Sequence, residues 1–178
     1  MVSRRRNIVE YNLSQEPFIA PWLWAMQDSR LRTLEELEGL SPAWIDWAPS
    51  GEESSIGTIL NHLADIEADW LYSEVLEQEL PPEVGALFPY PTRDEHGQLT
   101  QVHGISLAAH LERLATVRAL LMGVYQQMDL AEFRRVRALP AYDVTPEWVL
   151  HHLMQHEAEH RSQIGAVRRR AERELPGS

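Results

Sequence analysis

The chain has 178 residues, 44% hydrophobic and 24% charged, which is enough for one globular domain with an apolar core and too little for two of ordinary size. Its 27 acidic and 16 basic residues give a formal net charge of -11, where a nucleic-acid binder needs a cationic footprint, and the arginine clusters at Arg4 to Arg6 and Arg168 to Arg170 read as solvated ends. It has no cysteine, which excludes disulfides, thiolate ligands and a cysteine nucleophile together, and no run nears the roughly 18 apolar residues of a membrane span.

The N-terminal stretch MVSRRRNIVEYNLSQ has a basic start but no apolar run behind it, so no secretory signal is expected and a cytoplasmic location is the default. The first helix is expected over about 16–40. Ser14 is its candidate N-cap, Pro17 is tolerated in the first turn, Pro21 is a possible later start, and Trp22, Met26, Leu34 and Leu37 form its stripe. After the turn-rich SPAWIDWAPSGEES, the second helix opens at Ser54 or Ser55 and runs to about Glu79. Ile56, Ile59, Leu60, Leu63, Ile66 and Trp70 recur along it at helical spacing.

Residues 80–104 are rich in proline and glycine and lack periodicity. Ser106 opens a third helix to about Gln127, striped by Leu107, Leu111, Leu114, Val117 and Leu121. Residues 129–144 are irregular, with a short extended piece around Phe133 to Val136. The last helix has the clearest start: Thr145 as N-cap, Pro146 in the first turn and Glu147 at the positive end of the helix dipole. It should stop near Glu174, before Pro176 and Gly177.

Four long helices without a convincing strand predict an all-α fold, a four-helix bundle forming a single domain over 1–178. The long segment between helices two and three can cross the full length of a bundle. That crossover would leave those two helices parallel, an up-down-down-up order.

The fourth helix reads WVLHHLMQHEAEHRSQIG. His152, His156 and His160 lie four apart and stack on one face, beside Val149, Leu153, Gln163, Ile164 and Val167, so that face points inward. Two imidazoles one turn apart can reach one cation at about 2.0–2.1 Å. A lone inward histidine is usually a core residue satisfied by a carbonyl or carboxylate; three in a row are hard to satisfy in an apolar core. His62, at the edge of the second helix's stripe, can complete a set of three from a facing helix. Three protein ligands leave coordination positions open, which is the catalytic rather than the structural pattern. His110 on the flank of helix three, His96 and His103 in the long connection, and His151, about 100° from the stripe, are expected to be non-ligands.

His156 to His160 also reads H-E-x-x-H, which in a zincin protease makes Glu157 a general base. No further histidine follows at metzincin spacing, and only 18 residues of the sequence follow His160. Glu157 and Glu159 are more simply solvated charges, or partners of a ligating ring.

Two stretches, IGTILNHLADIEADWL and TPEWVLHHLMQHEAEHRSQIG, resemble the DinB/YfiT-like family of bacterial metalloenzyme bundles. The second, with its His-x3-His followed by Arg161, Gln163 and Ile164, is the more specific, and the order of the two fits over nearly the whole chain. Ser162 stands where the family often has glycine. The resemblance implies that His62, His156 and His160 bind one divalent cation, zinc or nickel. It further implies chemistry with a low-molecular-weight thiol such as bacillithiol or mycothiol, since family members include thiol transferases and isomerases.

The expected function is transfer of such a thiol to an electrophilic small molecule. A thiol held at an open metal site becomes a thiolate, and the chain has no thiol of its own. His152, Glu157 and Arg161 are candidates for supporting or substrate contacts. Arg161 offers a fork to a carboxylate, or is a surface arginine beside Glu157. The rivals are a metal-dependent hydrolase on the same histidines and a metal-stabilised, stress-related binding module. A homodimer is an open option; no nucleic acid or membrane partner is expected.

Overall fold

A computed structural model describes residues 7–49 and 54–175. Arg4 to Arg6, part of the turn-rich stretch and the stop at Pro176 and Gly177 lie outside the described residues. In chain order the helices are α1 (Ala20–Leu37), α2 (Ile56–Trp70), a single turn α3 (Pro82–Gly85), α4 (Leu107–Gln126), a second single turn α5 (Leu130–Phe133) and α6 (Pro146–Glu174). A 3₁₀ turn covers Pro42–Trp44. The strands β1 (Arg137–Ala138) and β2 (Asp143–Val144) pair antiparallel, with Arg137 opposite Val144. The fold is mostly helical, as expected, but among the described residues six α-helical segments stand where four helices were read. The two extra turns fall in the connections, where single turns leave no periodic signal.

Capping fixes three of the four long helices where the sequence put them. Ser55 Oγ accepts from Thr58 N, Ser106 Oγ from Ala109 N and Thr145 Oγ1 from Trp148 N. Each such cap contributes about 1 kcal/mol. α1 differs. Ser14 Oγ accepts from Glu16 N in a local turn, and the helix begins only at Ala20 with Pro21 in its first turn. Met26 and Leu37 are buried as expected, but Leu34, also expected in the stripe, is exposed, and Leu23, Arg30 and Thr33 complete the buried face.

α2 ends sooner than expected. It loosens into a π turn over Leu71–Val75, where Leu76 N donates to Leu71 O, and Glu77 reverses the chain at φ 54. The extended piece after α5 sits at Arg137–Ala138, beyond the expected 133–136.

α1 packs against α6, and α2 against both α4 and α6. The apolar core has two parts. One gathers Ile56, Ile59, Leu60 and Leu63 with Leu114, Val117, Ile164 and Val167. The other gathers Leu23 and Met26 with Leu71, Leu121, Val149, Leu150 and Leu153. A polar layer lies between them in every long helix. Arg30 of α1, Glu67 of α2, Arg118 of α4 and Glu157 of α6 are all buried and form one ring of ion pairs. No helix among the described residues is long and apolar enough to cross a membrane.

Candidate metal centre

Two helices carry the histidines to the level of that polar layer. His62 follows Leu60 on α2, five residues before Glu67. His156 precedes Glu157 on α6, and His160 lies one turn on. Each of His62, His156 and His160 offers one ring nitrogen, and the three atoms lie within 4.8 Å of one another. Nε2 of His156 and Nε2 of His62 are 3.1 Å apart, and the rings meet edge to face. Nitrogens sharing one cation at about 2.0–2.1 Å stand roughly 3–3.4 Å apart, so this spacing fits a common ion. His62 is buried, and its Nδ1 has no protein partner. Nδ1 of His160 donates to Gln163 Oε1 at 2.8 Å, which fixes that ring's tautomer and leaves Nε2 as its lone-pair nitrogen.

All three rings are held neutral, the form a ligand needs. Burial lowers His62 to about 4, helped by the nearby His160 and Arg93. Burial lowers His156 to about 3, with the neighbouring His160, His62 and His152 adding to it. His160 is lowered as well, mainly by burial, against the pull of Gln163 and Glu159. Arg93 arrives on the segment between α2 and α4, which is pinned to α2 at several points. Thr92 Oγ1 donates to Asp65 Oδ2 at 2.6 Å, and Val102 N donates to Thr58 Oγ1 at 3.0 Å. A cavity of about 310 Å³ lined by Ser54, Ile59, Gln163, Ala166 and Val167 adjoins the His160 side.

The other sequence candidates take different roles. Glu157 is neither solvated nor a partner of a ligating ring. Its Oε1 accepts from Arg30 Nε and its Oε2 from Arg118 Nη2, both at 2.7 Å. Burial alone would raise its pKa, but Arg30 and Arg118 outweigh that and hold it below the usual carboxylate range. Both oxygens serve the ring of ion pairs, which leaves the general-base role of an H-E-x-x-H protease without support.

Arg161 Nη1 donates to Ser29 O at 3.3 Å, tying α6 to α1. His152 lies outside the three-histidine cluster. Its ring packs 4.2 Å from that of Trp70 and 5.2 Å from that of Trp148, and its centroid is 5.9 Å from that of His156. His96, His103 and His151 are exposed, apart from the cluster. His110 is buried rather than flanking, close against Gly57, and neither ring nitrogen has a protein partner. It stays outside the cluster.

Sequence reading missed the ring of four charges. Each helix held only a partial signal: Arg30, Glu67, Arg118 and Glu157 each sit at a position of their helix's buried seam. On α1 that seam runs Leu23, Met26, Arg30, Thr33, Leu37.

A comparison with curated proteins finds similarity to an uncharacterized protein of Bacillus subtilis (strain 168), YuaE, at 29% identity over 157 residues, 82% of this chain and 96% of that one. The DinB superfamily family model matches residues 25–164, which takes in α2, α4 and all three clustered histidines. By that match, and with a three-histidine cluster that can hold a metal ion, the chain belongs to the DinB superfamily.

Proposed function

We propose that His62, His156 and His160 bind one divalent cation, zinc or nickel, and that the site transfers a low-molecular-weight thiol to an electrophilic small molecule in the cytoplasm. The observation that carries this reading is the convergence of three neutral imidazoles from two helices within 4.8 Å. Three protein ligands leave room for an exogenous one. When bound, the cation would supply a positive charge that acidifies a thiol offered at the open position.

The chain's own residues do the rest. Gln163 keeps the His160 proton on Nδ1, so Nε2 presents its lone pair. The apolar surroundings of His62 and His156 keep those rings unprotonated near neutral pH. The ring of Arg30, Glu67, Arg118 and Glu157 holds α1, α2, α4 and α6 in mutual register behind the histidines. An up-down-down-up four-helix frame, with residues 80–104 as the crossover, is part of the same proposal.

The test is conjugation of a generic electrophile with bacillithiol, mycothiol, glutathione or coenzyme A, with and without chelator. Turnover should need both metal and thiol, and its rate should rise through a pKa below the free-thiol value of about 8.5. Ester or peptide cleavage that consumes no thiol would replace this reading with a hydrolase. No turnover, with added thiols leaving a cobalt-substituted site unperturbed, would replace it with a binding module.

A further inference from the structure

An aromatic surface lies one to two helical turns from the histidine cluster, toward the N-terminus of α6. Trp148 is 47% exposed and Tyr142 44% exposed, and the two lie in one ring cluster. Trp70 packs against both, at 5.5 Å from Trp148 and 6.4 Å from Tyr142 between centroids, and His152 stacks on Trp148 with the ring planes only 5° apart. These rings hold one another in place, so the outer faces of Trp148 and Tyr142 are rigid. Those two residues, with Val136, Asp143, Val144 and Thr145, line a cavity of about 500 Å³, the size of a small-molecule site.

Among the described residues, the charges near this cavity that have no ion pair are acidic. Asp143 is on its wall. Behind Tyr142, whose hydroxyl donates to Glu74 Oε1 at 2.9 Å, Glu74 is buried and its second oxygen has no partner. Asp69 is near enough to act on both Tyr142 and Glu74. None of the three carboxylates is in an ion pair among the described residues. The arginines next to the cavity in sequence are all engaged: Arg134 with Glu147, Arg135 with Glu77 and Glu132, and Arg137 with Glu132. Indole and phenol faces are the electron-rich surfaces on which cations and flat rings settle.

We propose that this cavity binds a small aromatic cation, a flat ring bearing an ammonium or similar group, stacked on Trp148 with its charge toward Asp143. The site stands on its own residues and does not depend on the metal reading. Occupied, it would place a ligand about two turns from His156 along α6, with the His152 ring stacked on Trp148 on the way.

Calorimetric titration of the full-length protein, metal-loaded and chelator-treated, tests it with four probes: 1-naphthylmethylammonium, 2-naphthol, naphthalene-2-sulfonate and cyclohexylmethylammonium. The aromatic cation should bind at least tenfold tighter than the other three, with or without metal. Trp148→Ala should weaken it tenfold or more, Asp143→Asn severalfold, and His160→Ala not at all. Trp148 also packs on Trp70 and His152, so Trp148→Phe, which keeps a flat ring there, should retain most of the binding that Trp148→Ala loses. The proposal falls if sulfonate binds as well as the ammonium, if the cyclohexyl probe matches the naphthyl one, or if Trp148→Ala has no effect. It falls equally if nothing binds and sedimentation shows a dimer that Trp148→Ala dissolves, which would make this face a self-contact.

Discussion

Each clustered histidine is tuned away from its ordinary pKa, and the tuning has a sign. An unfolded histidine titrates near 6.5, whereas His62 and His156 are pushed to about 4 and about 3 by burial and by their neighbours. The unfolded chain therefore takes up more protons below about pH 6.5, and metal-free stability should fall as pH drops from there toward 4. Glu157 acts in the same direction lower down, because its depressed pKa makes its contribution vanish below the ordinary carboxylate range. Thermal unfolding of chelated protein between pH 8 and 5 should show a loss on the order of 2 kcal/mol or more by pH 5. A flat profile would mean that the rings are solvated. The histidine spacing made this cluster legible in sequence, since residues four apart must share a helix face. The destination of Glu157 was hidden, because a glutamate between two histidines looks the same whether it faces water or two arginines.

Among the elements, the long helices were legible and their ends only partly so. Ser55, Ser106 and Thr145 cap where their side chains predict, because a cap is a local hydrogen bond. The π turn after Trp70 comes from tertiary packing, which carries no local mark: Leu71 and Val75 are both buried. The late start of α1 did carry one, Pro21 in its first turn, and Ile19 just before the helix is buried. The ring of Arg30, Glu67, Arg118 and Glu157 is a relation between four helices, and no one helix reveals it. Removing one member leaves a buried charge without its partner. Glu157→Ala should cost about 3–5 kcal/mol, seen as a drop in unfolding midpoint on the order of 6–20 °C for a chain of this length. Glu159→Ala, on the exposed side of the same helix, should change it little. Equal effects of the two substitutions would show that the ring contributes nothing special.

At the scale of the whole molecule, two apolar clusters, a charged layer between them and a histidine cluster at that level form one arrangement. The layer fixes how the four helices meet, and the histidines of α2 and α6 depend on that meeting. This accounts for a site made from residues 94 positions apart, His62 and His156, without a strand or loop to carry it. The all-helical class and the DinB resemblance were readable from periodicity and from the two motif stretches. The aromatic cavity was not, because Tyr142 and Trp148 come together only through the turn between β1 and α6. The central claim is that His62, His156 and His160 together hold one metal ion. Elemental analysis of tag-free protein reloaded with zinc or nickel tests it most directly. About one ion per chain is expected, lost in His156→Ala and in His160→Ala but kept in His151→Ala, with all variants still helical. Metal content near zero after loading, or equal loss in His151→Ala, would contradict it.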